Sequence, residues 1–150
     1  MQSPTARSLL SLMLATGVTL AAGAARAETL YEIAKTEPKV AVGATATASL
    51  TIKAKGGWHV NAEAPITVAL TPPAGVTLLK AKLTRADLAA SSVDSARFDI
   101  PVAAKETGKQ TIGAEARFVI CQEQACKPVK ETLAFAVEVT AATATKTAKK

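Results

Sequence analysis

The sequence predicts an all-β fold, an immunoglobulin-like antiparallel β-sandwich, on three observations: apolar residues alternate with period two, turn residues recur about every ten positions, and the apolar side chains are mostly small or branched. Residues 40–54 carry the alternation most plainly. Every even position there is apolar (Val40, Val42, Ala44, Ala46, Ala48, Leu50, Ile52, Ala54), while Lys39, Thr45, Thr47, Ser49, Thr51, Lys53 and Lys55 occupy the odd side. This is the pattern of a half-buried strand.

Gly56 and Gly57 end that strand, and residues 58–60 begin a short second element. Pro65 interrupts it before residues 66–70 resume as β, and Pro72, Pro73 and Gly75 make the turn into residues 76–80. Residues 81–96 lack clean alternation and are expected to form a long loop with one helical turn. Residues 98–102 return to strand, and a turn at 105–109 containing Gly108 leads into residues 111–120, where Ile112, Ala114, Ala116, Phe118 and Ile120 share one face. Val129, Glu131, Leu133, Phe135, Val137 and Val139 then alternate with Lys130, Thr132 and Glu138, so these last two runs read as the strongest hairpin.

Much of the 49% hydrophobic content is alanine, and the aromatic residues are Tyr31, Trp58, Phe98, Phe118 and Phe135. Side chains of this size suit two thin packed layers better than one bulky cluster.

Residues 1–27 read as a signal peptide. Arg7 supplies a positive start, residues 9–25 carry no charge, and Ala25-Arg26-Ala27 has the small-x-small pattern of a cleavage site, so the mature chain is expected to begin at Glu28. A periplasmic protein with no membrane insertion after cleavage is the expectation. Residues 140–150 are almost wholly Ala, Thr and Lys and are expected to be a disordered tail, which leaves 28–139 as one domain with its own core. Of 18 basic and 12 acidic residues, Arg7 and Arg26 lie in the signal segment and Lys146, Lys149 and Lys150 in the tail, so the folded part holds 13 against 12. That near-neutral balance excludes a basic nucleic-acid face.

The two cysteines, Cys121 and Cys126, flank the loop of the closing hairpin. Antiparallel strands lie about 5 Å apart, a separation that suits a disulfide, and an exported chain with two cysteines is expected to bridge them. The residues leave two uses open. As a staple, closing so short a loop stabilises by only about 2 kcal/mol. As an exchange site, a solvent-reachable bridge on a short loop is well placed; Lys127 would favour a thiolate and Glu123 would oppose one.

A metal site lacks ligands: His59 is the one histidine, and both methionines fall in the signal segment. No metal and no cofactor are expected. His59, beside Trp58 at a strand start, reads as a structural side chain and is left outside the site.

Gly57-Trp58-His59-Val60-Asn61, Pro73-Ala74-Gly75-Val76, Phe98-Asp99-Ile100-Pro101-Val102 and the closing hairpin with Cys121, Cys126 and Pro128 resemble, in that order, the N-terminal periplasmic domain of the DsbD family of thiol:disulfide interchange proteins. The similarity spans most of residues 30–139. It implies an immunoglobulin-like domain that takes electrons from a membrane-embedded donor and passes them to thioredoxin-fold periplasmic proteins. It also implies that Cys121 and Cys126 are the redox pair, with Cys126 forming the mixed disulfides, and that the membrane donor is a separate protein. Two departures stand out: four residues separate the cysteines, one fewer than in well-known members, and residues 84–89 offer only Leu88 where the family shields its pair with an aromatic side chain. The alternative is a non-catalytic periplasmic binding or scaffold module of the same fold, its disulfide structural.

Overall fold

The computed structural model describes residues 29–142. The expected signal peptide, and the expected tail from residue 143 onward, lie outside the described residues. The strands in chain order are β1 Tyr31–Lys35, β2 Lys39–Ala41, β3 Thr45–Ala54, β4 His59–Val60, β5 Thr67–Thr71, β6 Val76–Leu78, β7 Lys82–Thr84, β8 Leu88–Ser91, β9 Ser95–Ala104, β10 Gly108–Gln122 and β11 Ala125–Thr140. A single 3-10 turn, Arg85–Asp87, joins β7 to β8.

The strands form two sheets packed face to face, an immunoglobulin-like β-sandwich. One has the order β1-β3-β9-β6, with β8 pairing a further stretch of β9; the other has the order β2-β11-β10-β5-β7, with β4 pairing a further stretch of β10. All pairings are antiparallel except β2 with β11. Ala48, Leu50, Ile52, Phe98, Ile100 and Val102 of the first sheet meet Val68, Ile112, Phe118, Ile120, Phe135 and Val137 of the second in one core. No polar or charged side chain is buried among the described residues.

The run 40–54, read as one strand, is two. Val40 is buried in the second sheet on β2, whereas Ala48, Leu50 and Ile52 are buried in the first on β3. Gly43 makes the switch in a left-handed conformation (φ 81°), open to glycine and strained for other residues. Alternation survives because each half faces the shared core from its own side. Residues 81–96, expected as a loop with one helical turn, contain that turn and also two short strands, β7 and β8. Their alternation is faint because of these residues only Leu83 and Ala96 are buried. The last strand reaches Thr140, which pairs with Ala41, so the start of the expected tail is ordered.

Candidate functional site

The β10–β11 hairpin determines the site. Its register pairs Cys121 with Cys126 and continues to Gln122 opposite Ala125, so the cysteines lie in the ladder one pair below a two-residue turn, Glu123-Gln124. The loop expected between the cysteines is thus reduced to these two residues. The disulfide is formed, with Cα atoms 4.0 Å apart. Directly opposed residues share a face, and Cys121 follows buried Ile120, which places the bridge on the outer face of the second sheet. Cys126 is exposed and Cys121 half-buried.

Pro128, two residues further, is tolerated for a ladder reason. It opposes Val119, two steps from the cysteine pair, and β11 has no neighbour strand on its far side there. A residue without an N–H fits such an edge position.

Asn61 covers Cys121. Its carboxamide oxygen accepts from the backbone N–H of Glu63 at 3.0 Å and of Ala64 at 3.2 Å, closing the turn that breaks β4 from β5. With the oxygen occupied, the amide nitrogen points the other way and donates to Cys121 Sγ at 3.5 Å.

Lys127 is not placed as the sequence suggested. It opposes Ile120 and so points off the other face from Cys126, and its Nζ lies 5.1 Å from the centre of the Trp58 ring, capping the open end of the core. The cation nearest in sequence to Cys126 is committed to an indole.

An imidazole stands on the sulfur's side instead. β4 pairs His59 with Cys121 and Val60 with Ile120, so His59, Cys121 and Cys126 form one row across three strands on the outer face. His59 Nδ1 lies 2.8 Å from Asp94 Oδ1, on the turn between β8 and β9, and Val60 N–H donates to the Val93 carbonyl at 2.9 Å, fastening that turn to β4. Val93 itself is 67% exposed, one of two large apolar side chains so placed among the described residues. In the sequence His59 reads as a structural side chain because it stands beside Trp58 at a strand start, 62 positions from Cys121. The one local signal was its place in a short apolar run, with Trp58 and Val60 inward and His59 outward.

Leu88 packs against the core and opposes Phe98 in the first sheet. Among the described residues no three His, Cys, Asp or Glu side chains gather as a metal site.

No protein-family model matches the chain, and no characterised protein matches it in sequence. Solved structures of similar shape include domains 4 and 5 of the S-layer protein SbsC, at TM-score 0.41 and 19% identity over 72% of this chain and 44% of that one. AggA, the major subunit of aggregative adherence fimbriae type I from Escherichia coli, gives TM-score 0.41 and 13% identity over 73% of this chain and 94% of that one. Alpha-2-macroglobulin from Escherichia coli, from domain MG7 to the C-terminus, gives TM-score 0.46 and 17% identity over 73% of this chain and 16% of that one. The chain thus spans less than half the length of the first and third.

Proposed function

We propose that this chain is a periplasmic thiol:disulfide exchange domain that passes electrons through Cys121 and Cys126 between a separate membrane donor and thioredoxin-fold clients. The observation that carries the reading is the asymmetry of the bridge: it sits at the tip of a two-stranded ladder, with Cys126 exposed and Cys121 half-buried and bonded by Asn61. An incoming thiolate reaches the exposed sulfur first. It bonds to Cys126 Sγ, the Cys121–Cys126 bond breaks, and Cys121 leaves as the thiolate. A second thiolate on the donor then attacks the donor's sulfur of the mixed disulfide, releasing Cys126 and leaving the pair reduced and the donor oxidised. In the opposite direction the reduced pair delivers two electrons by the same steps reversed. The DsbD resemblance supports this assignment of roles.

The test uses the two single variants, Cys121→Ser and Cys126→Ser, each with its remaining thiol activated as a 2-nitro-5-thiobenzoate mixed disulfide. A thioredoxin-fold protein retaining only its nucleophilic cysteine is then added. Its thiolate should displace thionitrobenzoate from Cys126 at least about tenfold faster than from Cys121, giving a covalent complex. Equal rates would overturn the roles, and no complex with either variant would overturn the exchange reading in favour of a structural staple.

A further inference from the structure

The exchange reading asks which group stabilises Cys121 when it leaves. Lys127 is on the other face against Trp58. Arg117, on the outer face of β10, is two outward positions away and held by Glu115 at 2.8 Å; Lys130 is drawn to the same carboxylate at 2.9 Å. His59 alone of the imidazole, ammonium and guanidinium groups of the described residues is in direct register with the pair.

We infer that the His59–Asp94 pair, with the Asn61 amide, forms a built-in thiolate site for Cys121, so that His59 carries the proton and charge balance of each exchange while Asp94 holds its ring in position. Directly opposed residues in an antiparallel pair have Cβ atoms about 5 Å apart on the same face, within reach of an imidazole and a sulfur. Asp94 bonds Nδ1, which leaves Nε2 as the imidazole nitrogen for exchange with a sulfur of the row. The groups that face His59 are thus Asp94 from the β8–β9 turn, the two sulfurs from β10 and β11, and the uncharged Asn61 from the end of its own strand.

The step balances without an outside reagent beyond the incoming thiol. As the incoming thiolate bonds to Cys126, the electron pair of the broken bond goes to Cys121 Sγ, where the Asn61 N–H and a proton carried on His59 receive it. In reverse, His59 takes the Cys121 proton as that sulfur attacks the mixed disulfide. A lower thiol pKa makes a better leaving group, so the arrangement speeds attack on Cys126 in particular. His59 and Asp94 side chains are 51% and 68% exposed, so a proton exchanges with water between turnovers.

This inference rests on the exchange reading for its purpose, but its test does not need a client. In Cys126→Ser the Cys121 thiol is titrated by thiolate absorbance, with and without His59→Gln, Asp94→Asn and, as a control, Lys127→Gln. His59→Gln should raise the thiol pKa by about one unit, Asp94→Asn should raise it less, and Lys127→Gln should leave it unchanged. Should Cys126→Ser not fold, the bridged protein serves: His59→Gln should slow reduction of the disulfide by glutathione roughly three- to tenfold at neutral pH and flatten its pH profile between about pH 5 and 8. An unchanged pKa, or an unchanged reduction rate, overturns the inference. Failure to trap a client with His59 coupling intact overturns the exchange reading alone.

Discussion

Tyr31, on the first strand of one sheet, donates its phenolic hydrogen bond to Glu131 on the last strand of the other, a hundred residues away. Its ring meets Phe118 edge-on at 5.2 Å, so one side chain closes the open side of the sandwich below the disulfide hairpin. Lys35 of the same strand donates to the Ala134 carbonyl, a second tie across that side. Burial, and then the neighbouring Glu131 carboxylate, push the Tyr31 hydroxyl up to about 12.

Stability should therefore fall at high pH. The folded chain favours the neutral phenol, so Tyr31's contribution is complete below its ordinary value of 10.0 and is lost as pH rises through about 12. Tyr31→Phe keeps the ring and should cost only about 0.5–1.5 kcal/mol at neutral pH while removing that alkaline step. Urea unfolding of both proteins from pH 8 to 12 measures it, and an identical pH dependence would refute the tie.

At the acid end the direction reverses. Lys55 holds the Glu32 carboxyl down, Lys80 and then Thr84 do so for Asp87, and Lys130 and then Arg117 for Glu115. Each contributes above its ordinary value (4.5, 3.8 and 4.5 respectively) and loses that contribution as pH falls through its lower folded value. These groups are accessible to solvent, so the acid transition should be blunted in high salt. Unfolding midpoints from pH 6 to 2, at low and at 1 M salt, check this.

Gly43→Ala should destabilise by about 1–2 kcal/mol from backbone strain alone, because φ is 81° and no atom lies within 4 Å of an added Cβ. Denaturant unfolding gives the value. No loss would mean that the sheet switch does not require the left-handed turn.

The double variant Cys121→Ser with Cys126→Ser should keep its β-type circular dichroism and lose about 1–3 kcal/mol, since the core lies on the inner faces and the closed loop is short. Complete unfolding would make the bridge an essential staple.

Val93→Asp should slow complex formation with a thioredoxin-fold protein several-fold and leave reduction by glutathione unchanged, because its exposed side chain lies on the turn fastened to β4, the strand that pairs with Cys121. Parallel rate measurements separate the two, and an equal effect on both would remove Val93 from the client surface.

The sandwich was legible in the sequence because burial on one face writes itself as period two, as in Leu50-Thr51-Ile52 and Phe118-Val119-Ile120. The disulfide was legible because its partners lie at one hairpin tip. Two kinds of feature were not. Gly43 changes the sheet without changing the alternation, so residues 40–54 read as a single strand. Asn61 bonds Cys121, and His59 with its partner Asp94 comes into register beside it, through the pairing of β4 with β10 and the fastening of Val93 to Val60, relationships between distant segments that no local pattern encodes. Lys127 shows the converse: adjacency to Cys126 in the chain becomes opposition in a strand.

The reduction potential of the Cys121–Cys126 pair, measured by equilibration with glutathione buffers, tests the central claim most directly. A bridge that exchanges with thioredoxin-fold proteins should lie between about −120 and −270 mV, the range such proteins span. A value below about −300 mV would mark a staple that no such partner could reduce, and would contradict the account.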